Sequence, residues 1–268
     1  MNENLINELK EKGIIKIENF LNINEIQDLT NIIKHYSAFK NTKNSFWPTN
    51  SKLLILKLIK LDFKKFNSSI KILNLSKKKN LMGISKNFFS NNSFLNYIDA
   101  YISPVSNNPV VPWHTDQAYH GDKKPQKYVN PEKFFLKIFI YLTDVEPENG
   151  CMAYIPKSHK IGYAIRKGIF EKKIDYKPYW HLKDLRKILI DKNNKNFFKN
   201  HFDNNSKIVE NFLTETEFCE KNVDTKNYDY NLKAGSAIIF DEGGVHRGAK
   251  TLKNDRMVLR YLYSKYKN

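Results

Sequence analysis

FFLKIFIYLTDV, residues 134–145, divides its side chains by alternation: Leu136, Ile138, Ile140 and Leu142 fall on one face, and Phe135, Lys137, Phe139, Tyr141 and Thr143 on the other. A period of two is the mark of a β-strand, whose successive side chains point to opposite sides of the sheet. Further short strands read outward from it: LNYIDAYISP from Leu95, VPWHTDQ from Val111, CMAYIP from Cys151, SAIIFD from Ser236 and MVLRYLYSKY from Met257. The loops between them, such as SNNP, EPENG and DEGG, are rich in turn residues. This layout predicts an all-β core with helical additions, a double-sheet jelly roll of the cupin-like, double-stranded β-helix kind.

The flanks read differently. Residues 2–12 predict a short helix and GIIKIENFL a strand, and Asn22 with Glu25 three residues on predicts a capping box opening a helix through Ile33. From Lys52, the three-and-four spacing of Leu56, Ile59, Phe63, Phe66, Ile70 and Leu73 predicts a helix with one apolar face. Residues 161–231 are rich in Asn and Lys and interrupt the strand series, with a helix expected around Leu182 to Ile190. They read as an insertion, either a solvated one or a lid. At 268 residues the chain is expected to be a single domain: a helical part over 1–94, a jelly-roll core over 95–160 and 232–268, and the insertion over 161–231.

The formal charge of +17 invites a polyanion partner, yet only five of the 45 basic residues are arginines, and the lysines accompany Asn and Ile throughout. That pattern fits biased surface composition better than a nucleic-acid site. Cys151 and Cys219 belong to no metal-binding or disulfide spacing. The first residues lack an apolar leader, and LLILKLIKLDF from Leu53 is broken by lysines well short of the ~18 residues a span needs. A cytoplasmic protein without a membrane span is the expectation; oligomeric state is not readable.

The chemistry centres on His114 and Asp116, one residue apart, so that on an extended strand both side chains reach one ion. His246, after a strand and a Gly-Gly turn, could return to the same mouth. Two imidazoles and a carboxylate, with positions left open, form the facial arrangement of non-haem Fe(II) oxygenases. A local zinc set of His114, Asp116 and His120 is the alternative, serving a hydrolase, but it leaves His246 without a part. A non-catalytic jelly roll using its basic surface to bind a glycan or nucleic acid is a third.

WHTDQ from Trp113, LTDVEPENGCMAYIPKSHK from Leu142, KAGSAIIFDEGGVHRGA from Lys233 and RMVLRYLY from Arg256 resemble the phytanoyl-CoA dioxygenase family of Fe(II)- and 2-oxoglutarate-dependent oxygenases, as does the opening GIIKIENFLNINEIQDL. The resemblance implies a metal held by His114, Asp116 and His246, with 2-oxoglutarate and O2 as cosubstrates and hydroxylation of a small molecule. It implies that Arg256 takes the distal carboxylate of 2-oxoglutarate, Arg being suited to bidentate recognition. Arg260 is the reserve, or a second cation for an acidic substrate. The mixed face of 134–145 is then expected to look into the barrel, Phe139 against the cosubstrate and Lys137 near it, with Tyr101 hydrogen-bonding it from a neighbouring strand. Gln117, Tyr119 and His120 are expected to meet the substrate, and Arg247, Arg260 and the insertion's lysines favour an anionic one. The chain departs from the family in Lys157, where Gly is usual, in Gly248, where a hydroxyl residue often helps hold the cosubstrate, and in a His246-to-Arg256 spacing one residue short.

Overall fold

The computed structural model describes residues 3–34, 40–41, 52–56, 66–116, 135–177, 179–205, 207–221 and 228–266. Among the described residues, ten strands form two antiparallel sheets. The strands are β1 (Ile14–Ile17), β2 (Lys40–Asn41), β3 (Lys52–Leu56), β4 (Phe94–Ser103), β5 (Ser106–His114), β6 (Phe135–Tyr141), β7 (Met152–Tyr154), β8 (Ala237–Asp241), β9 (His246–Thr251) and β10 (Arg256–Ser264). The large sheet runs β1-β8-β6-β10-β4-β3-β2 and the small one β5-β9-β7, the two faces of a jelly roll. The helices are α1 (Glu3–Lys12), α2 (Ile23–Lys34), α3 (Phe66–Lys78), α4 (Leu81–Phe89), α5 (Ser158–Phe170), α6 (Leu182–Ile190), α7 (Lys195–His201) and α8 (Lys207–Lys221).

The alternation in β6 explains the layering. Leu136, Ile138 and Ile140 join Leu259 and Tyr261 of β10 and Ile239 of β8 in a core covered by Ile6 and Leu9 of α1, Leu29 and Ile33 of α2, and Leu81 and Phe88 of α4. The opposite faces of the same strands contribute Tyr141, Val258, Ile238 and Phe240 to a second core beneath the small sheet, with Met152 and Tyr154. Both faces of the large sheet are therefore buried, and burial at ~25 cal/mol per Å2 of apolar surface drives its assembly. The expected capping box opens α2: the Glu25 N–H donates to Asn22 Oδ1 at 2.9 Å, and the Asn22 N–H to Glu25 Oε2 at 3.0 Å.

Lys52–Leu56 is a strand, not the first turns of a helix. Its consecutive apolar residues extend the sheet by pairing antiparallel with β4, Leu54 opposite Ala100, and this long-range pairing overrides a helical spacing that holds only from Phe66 on. Residues 57–65, which hold Ile59 and Phe63 of that spacing, lie outside the described residues.

Residues 161–231 build α6, α7, α8 and most of α5 around a core of their own. Ile161 and Ile165 of α5, Leu185 and Ile188 of α6, Phe198 of α7 and Phe212 of α8 pack together with Trp113 of β5 and Ala153 of β7. Polar composition there conceals an apolar face on each helix.

Candidate metal centre

His114 ends β5 and lies directly opposite His246, which begins β9. The register shifts between Val111 and His114, an extra residue at Pro112-Trp113 that makes a bulge, the device by which strands re-aim side chains beside active sites. The two imidazoles lie 4.3 Å apart between centroids. His114 Nδ1 is 2.6 Å from the Pro112 carbonyl and His246 Nδ1 is 2.9 Å from the Gly244 carbonyl. A carbonyl oxygen only accepts, so Nδ1 carries the proton in both rings and the Nε2 lone pairs face Asp116. Asp116 Oδ1 is 3.6 Å from His114 Nε2, and Oδ2 is 3.2 Å from His246 Nε2. Ligand atoms of the three residues lie within 4.8 Å of one another, so the group could hold a metal ion.

Asp116 reaches the site by a route other than the extended strand expected for it. β5 stops at His114, and the next two residues dock elsewhere: the Thr115 N–H donates to the Trp180 carbonyl at 2.9 Å and the Asp116 N–H to the Glu242 carbonyl at 3.1 Å. The turn after the strand, pinned on residues 180 and 242, aims the carboxylate.

The charges around it are buried. Lys137, 4% exposed, pairs with Asp116 Oδ2 and stands 3.5 Å from Glu242 Oε2. Burial alone would raise the Asp116 carboxyl, but the Lys137 ammonium outweighs it and holds the group well below the usual range. His246 is pushed down, by burial first and then by His114, which favours the neutral ring a metal needs.

Beside these ligands is a pocket lined by Tyr101, Phe139, Met152, Gly248 and the cations Lys137, Arg247, Arg256 and Arg260. Three of the cations have internal carboxylates. Arg260 Nε donates to Asp99 Oδ1 at 2.7 Å, its second nitrogen reaches Oδ2, and it lies over the rings of Tyr97 and Tyr101. Arg247 pairs with Asp229 at 2.7 Å and lies over Trp113. Arg256 differs: it is 4% exposed, lies over the Tyr141 ring, has a buried Nε with no hydrogen-bond acceptor, and is in no ion pair with a described carboxylate. Its side chain crosses Gly150 (φ +72°) so closely that a Cβ there would lie 2.5 Å from Arg256 Cδ, which gives the Asn-Gly of the EPENG loop a steric reason. A Cβ on Gly248 would lie 3.0 Å from that of Val110, so a hydroxyl side chain there would crowd β5. Phe139 stands edge-on to Phe240 at 5.0 Å, and the Tyr101 hydroxyl group is buried and pushed up by that burial. Gln117, Tyr119 and His120 lie outside the described residues.

A family model described as phytanoyl-CoA dioxygenase (PhyH) matches residues 9–258. The chain belongs to the phytanoyl-CoA dioxygenase family. Solved structures of the same fold include the non-haem alpha-ketoglutarate-dependent carbocyclase SnoK from nogalamycin biosynthesis (14% identity, TM-score 0.58, covering 98% of this chain and 84% of that one). HygX from Streptomyces hygroscopicus, with nickel and 2-oxoglutarate bound, is similar over 98% of this chain and 87% of its own (13% identity, TM-score 0.58). EvdO2 from Micromonospora carbonacea is similar over 98% and 90% (15% identity, TM-score 0.57). No curated protein sequence matches the chain. The family's cofactor is Fe(II), with 2-oxoglutarate and O2 as cosubstrates. The donor set suits such an ion, two imidazoles in the same tautomer and an ionised carboxylate leaving positions open.

Sequence reasoning missed four residues of this neighbourhood. Glu242 and Asp99 lie in the DEGG and IDAY stretches with no ligand spacing of their own, and Asp229 lies within the insertion. Trp180, whose ring lies 4.6 Å from that of His114, is brought there by a β-bridge between His114 and His181 that no local pattern announces. The acid in IDAY facing the arginine in VLRY was the one readable signal, since Asp99 and Arg260 are partners in the β4–β10 register.

Proposed function

We propose that this family member is an Fe(II)- and 2-oxoglutarate-dependent dioxygenase that hydroxylates a small molecule, with His114, Asp116 and His246 as iron ligands and Arg256 as the anchor for the distal carboxylate of 2-oxoglutarate. The observation that carries the reading is Arg256: a buried guanidinium in the pocket of the His/Asp/His group, with no described carboxylate as partner. A buried cation left in that condition is costly, and a dianionic cosubstrate relieves the cost. Iron, when bound, supplies O2 activation coupled to decarboxylation of 2-oxoglutarate to succinate and CO2. The chain's own work is placement. The Pro112 and Gly244 carbonyls hold the imidazole protons away from the ligand side, Lys137 steadies the second oxygen of Asp116, and Phe139 and Met152 make the pocket wall apolar. Two structural neighbours carry small molecules, hygromycin B on HygX and nogalamycin RO on SnoN, which supports a substrate of that class. Arg247 and Arg260 supply little of the expected anionic preference, because Asp229 and Asp99 already neutralise them. The free, buried Cys151 and Cys219 suit a reducing cytoplasm, and among the described residues no helix is long and apolar enough to cross a membrane.

Anaerobic protein loaded with Fe(II) is expected to develop a metal-to-ligand charge-transfer band when 2-oxoglutarate is added, and His246→Ala to lose it. Absence of the band in the wild type refutes the assignment. Release of succinate against a metabolite panel, with a 16 Da gain on one compound, separates hydroxylation from the epimerase and carbocyclase outcomes.

A further inference from the structure

The DEGG turn joining β8 to β9 offers three consecutive carbonyls to the metal ligands and the residue between them. The Glu242 carbonyl accepts the Asp116 N–H at 3.1 Å, the Gly243 carbonyl accepts the Thr115 hydroxyl at 3.0 Å, and the Gly244 carbonyl accepts from His246 Nδ1 at 2.9 Å. A trans peptide unit is planar, with its C=O and the following N–H pointing in opposite directions, so whatever holds that N–H also aims the carbonyl. All three of these N–H groups have partners away from the ligands. Gly243 donates to Asp241 Oδ1 at 2.9 Å, Gly244 to the Asp241 carbonyl at 3.1 Å, and Val245 to Ser158 Oγ at 2.7 Å.

The two side chains in that row are themselves fixed. Ser158, buried at the start of α5, donates its hydroxyl proton to the Ile155 carbonyl at 2.6 Å, which leaves an oxygen lone pair for Val245. The Ile155 N–H donates to the Val245 carbonyl at 2.9 Å, so Val245 is clasped on both sides immediately before His246. The second oxygen of Asp241, a fully buried residue, accepts from the Tyr163 hydroxyl of α5. Gly162 stands so close to the Gly243 carbonyl that a Cβ there would overlap it, so the helix lies directly on the turn. We propose that Ser158 and Asp241 are positioning residues of the metal centre. Ser158 orients His246 through the 244–245 peptide, and Asp241, steadied by Tyr163, seats Asp116 through the 242–243 peptide. His114 lies outside this brace, because its Nδ1 proton goes to the Pro112 carbonyl of its own strand. The inference rests on the functional reading above only in taking His114, Asp116 and His246 as the ligands.

That asymmetry between the two imidazoles separates positioning from mere support of the fold. Ser158→Ala should weaken Co(II) binding to the metal-free protein by about tenfold or more, the usual cost of losing a partner behind a metal ligand. In the proton spectrum of the Co(II) form, two hyperfine-shifted imidazole Nδ1–H resonances are expected. Ser158→Ala should shift one of them, or lose it to solvent exchange, and leave the other in place. Ser158→Thr, which keeps the hydroxyl, should restore both readings. Asp241→Ala should weaken Co(II) by a similar factor with both resonances kept, whereas Asp241→Asn, whose amide oxygen still accepts from Gly243, should bind close to the wild-type value. Calorimetric titration and the proton spectrum read these effects without turnover. Alanine variants that lower the melting temperature yet bind Co(II) within about twofold of wild type, with both resonances unmoved, overturn the positioning role. Should Ser158→Ala fail to fold, Ser158→Cys decides, its thiol being a weak acceptor: wild-type affinity and resonances there overturn the role of Ser158. Wild-type protein that takes up no Co(II) instead overturns the ligand assignment, and the brace with it.

Discussion

Arg256 and Arg260 sit four residues apart on the same face of β10 and line the same pocket, yet their surroundings assign them opposite jobs. Arg260 is a fixed strut, bound to Asp99 through two nitrogens and close to two tyrosine rings, whereas Arg256 is in no ion pair with a described carboxylate, and the proposed function gives it the cosubstrate as partner. Arg256→Met should therefore raise the KM for 2-oxoglutarate at least tenfold while leaving the melting temperature within a few degrees. Asp99→Asn should do the reverse, costing about 3–5 kcal/mol of stability because it strands a buried guanidinium. Steady-state kinetics and thermal unfolding of the two variants side by side check both halves. At this scale the sequence was informative about residue type and silent about pairing. An Arg ten positions after His246 stood out, but which of two strand-mates was spoken for depended on an Asp more than 150 residues away.

Elements record where the chain departs from its family and what that costs. Lys157 adopts φ +66° at the entry to α5, a left-handed conformation that disfavours any side chain with a Cβ and that the Gly implied there by the family resemblance would adopt freely. Its ammonium recovers part of the cost on Glu11, which Lys160 also holds. Lys157→Gly should stabilise the protein by about 1 kcal/mol in urea unfolding, the strain relieved being larger than an exposed ion pair. The capping box of α2 carries a pH dependence. Burial raises the Glu25 carboxyl, but Lys78, the Asn22 N–H and Lys79 outweigh it and bring the value down to about 2. A group depressed in the folded state contributes stability above its unfolded value of 4.5 and loses it as pH falls towards 2. The stability gap between wild type and Glu25→Gln, about 1 kcal/mol at neutral pH, should narrow below pH 4.5 when urea midpoints are compared. That cap was legible because its signal is local. The strand at Lys52–Leu56 was not, because its partner β4 begins nearly forty residues later and a short apolar run fits either period.

Across the whole molecule, the insertion and the jelly roll share contacts at the site itself. Trp113 packs in the insertion's core while its neighbour His114 bridges His181 and touches Trp180. The two parts should therefore melt together, with coincident transitions by far-UV dichroism and by tryptophan fluorescence; two separated transitions would show the insertion to be an independent unit. The jelly roll was readable from strand spacing and turn chemistry, whereas the four-helix packing of residues 161–231 was hidden by a composition dominated by solvent-facing Lys and Asn. The sheet order has one more consequence. β10 follows both β4 and β6 in the chain yet lies between them in the sheet, so during synthesis those two strands leave the ribosome with their facing edges bare and wait for the segment that joins them. For that interval the nascent chain exposes two open, largely apolar templates, a natural client for holding chaperones and a hazard for any faster-forming wrong pairing.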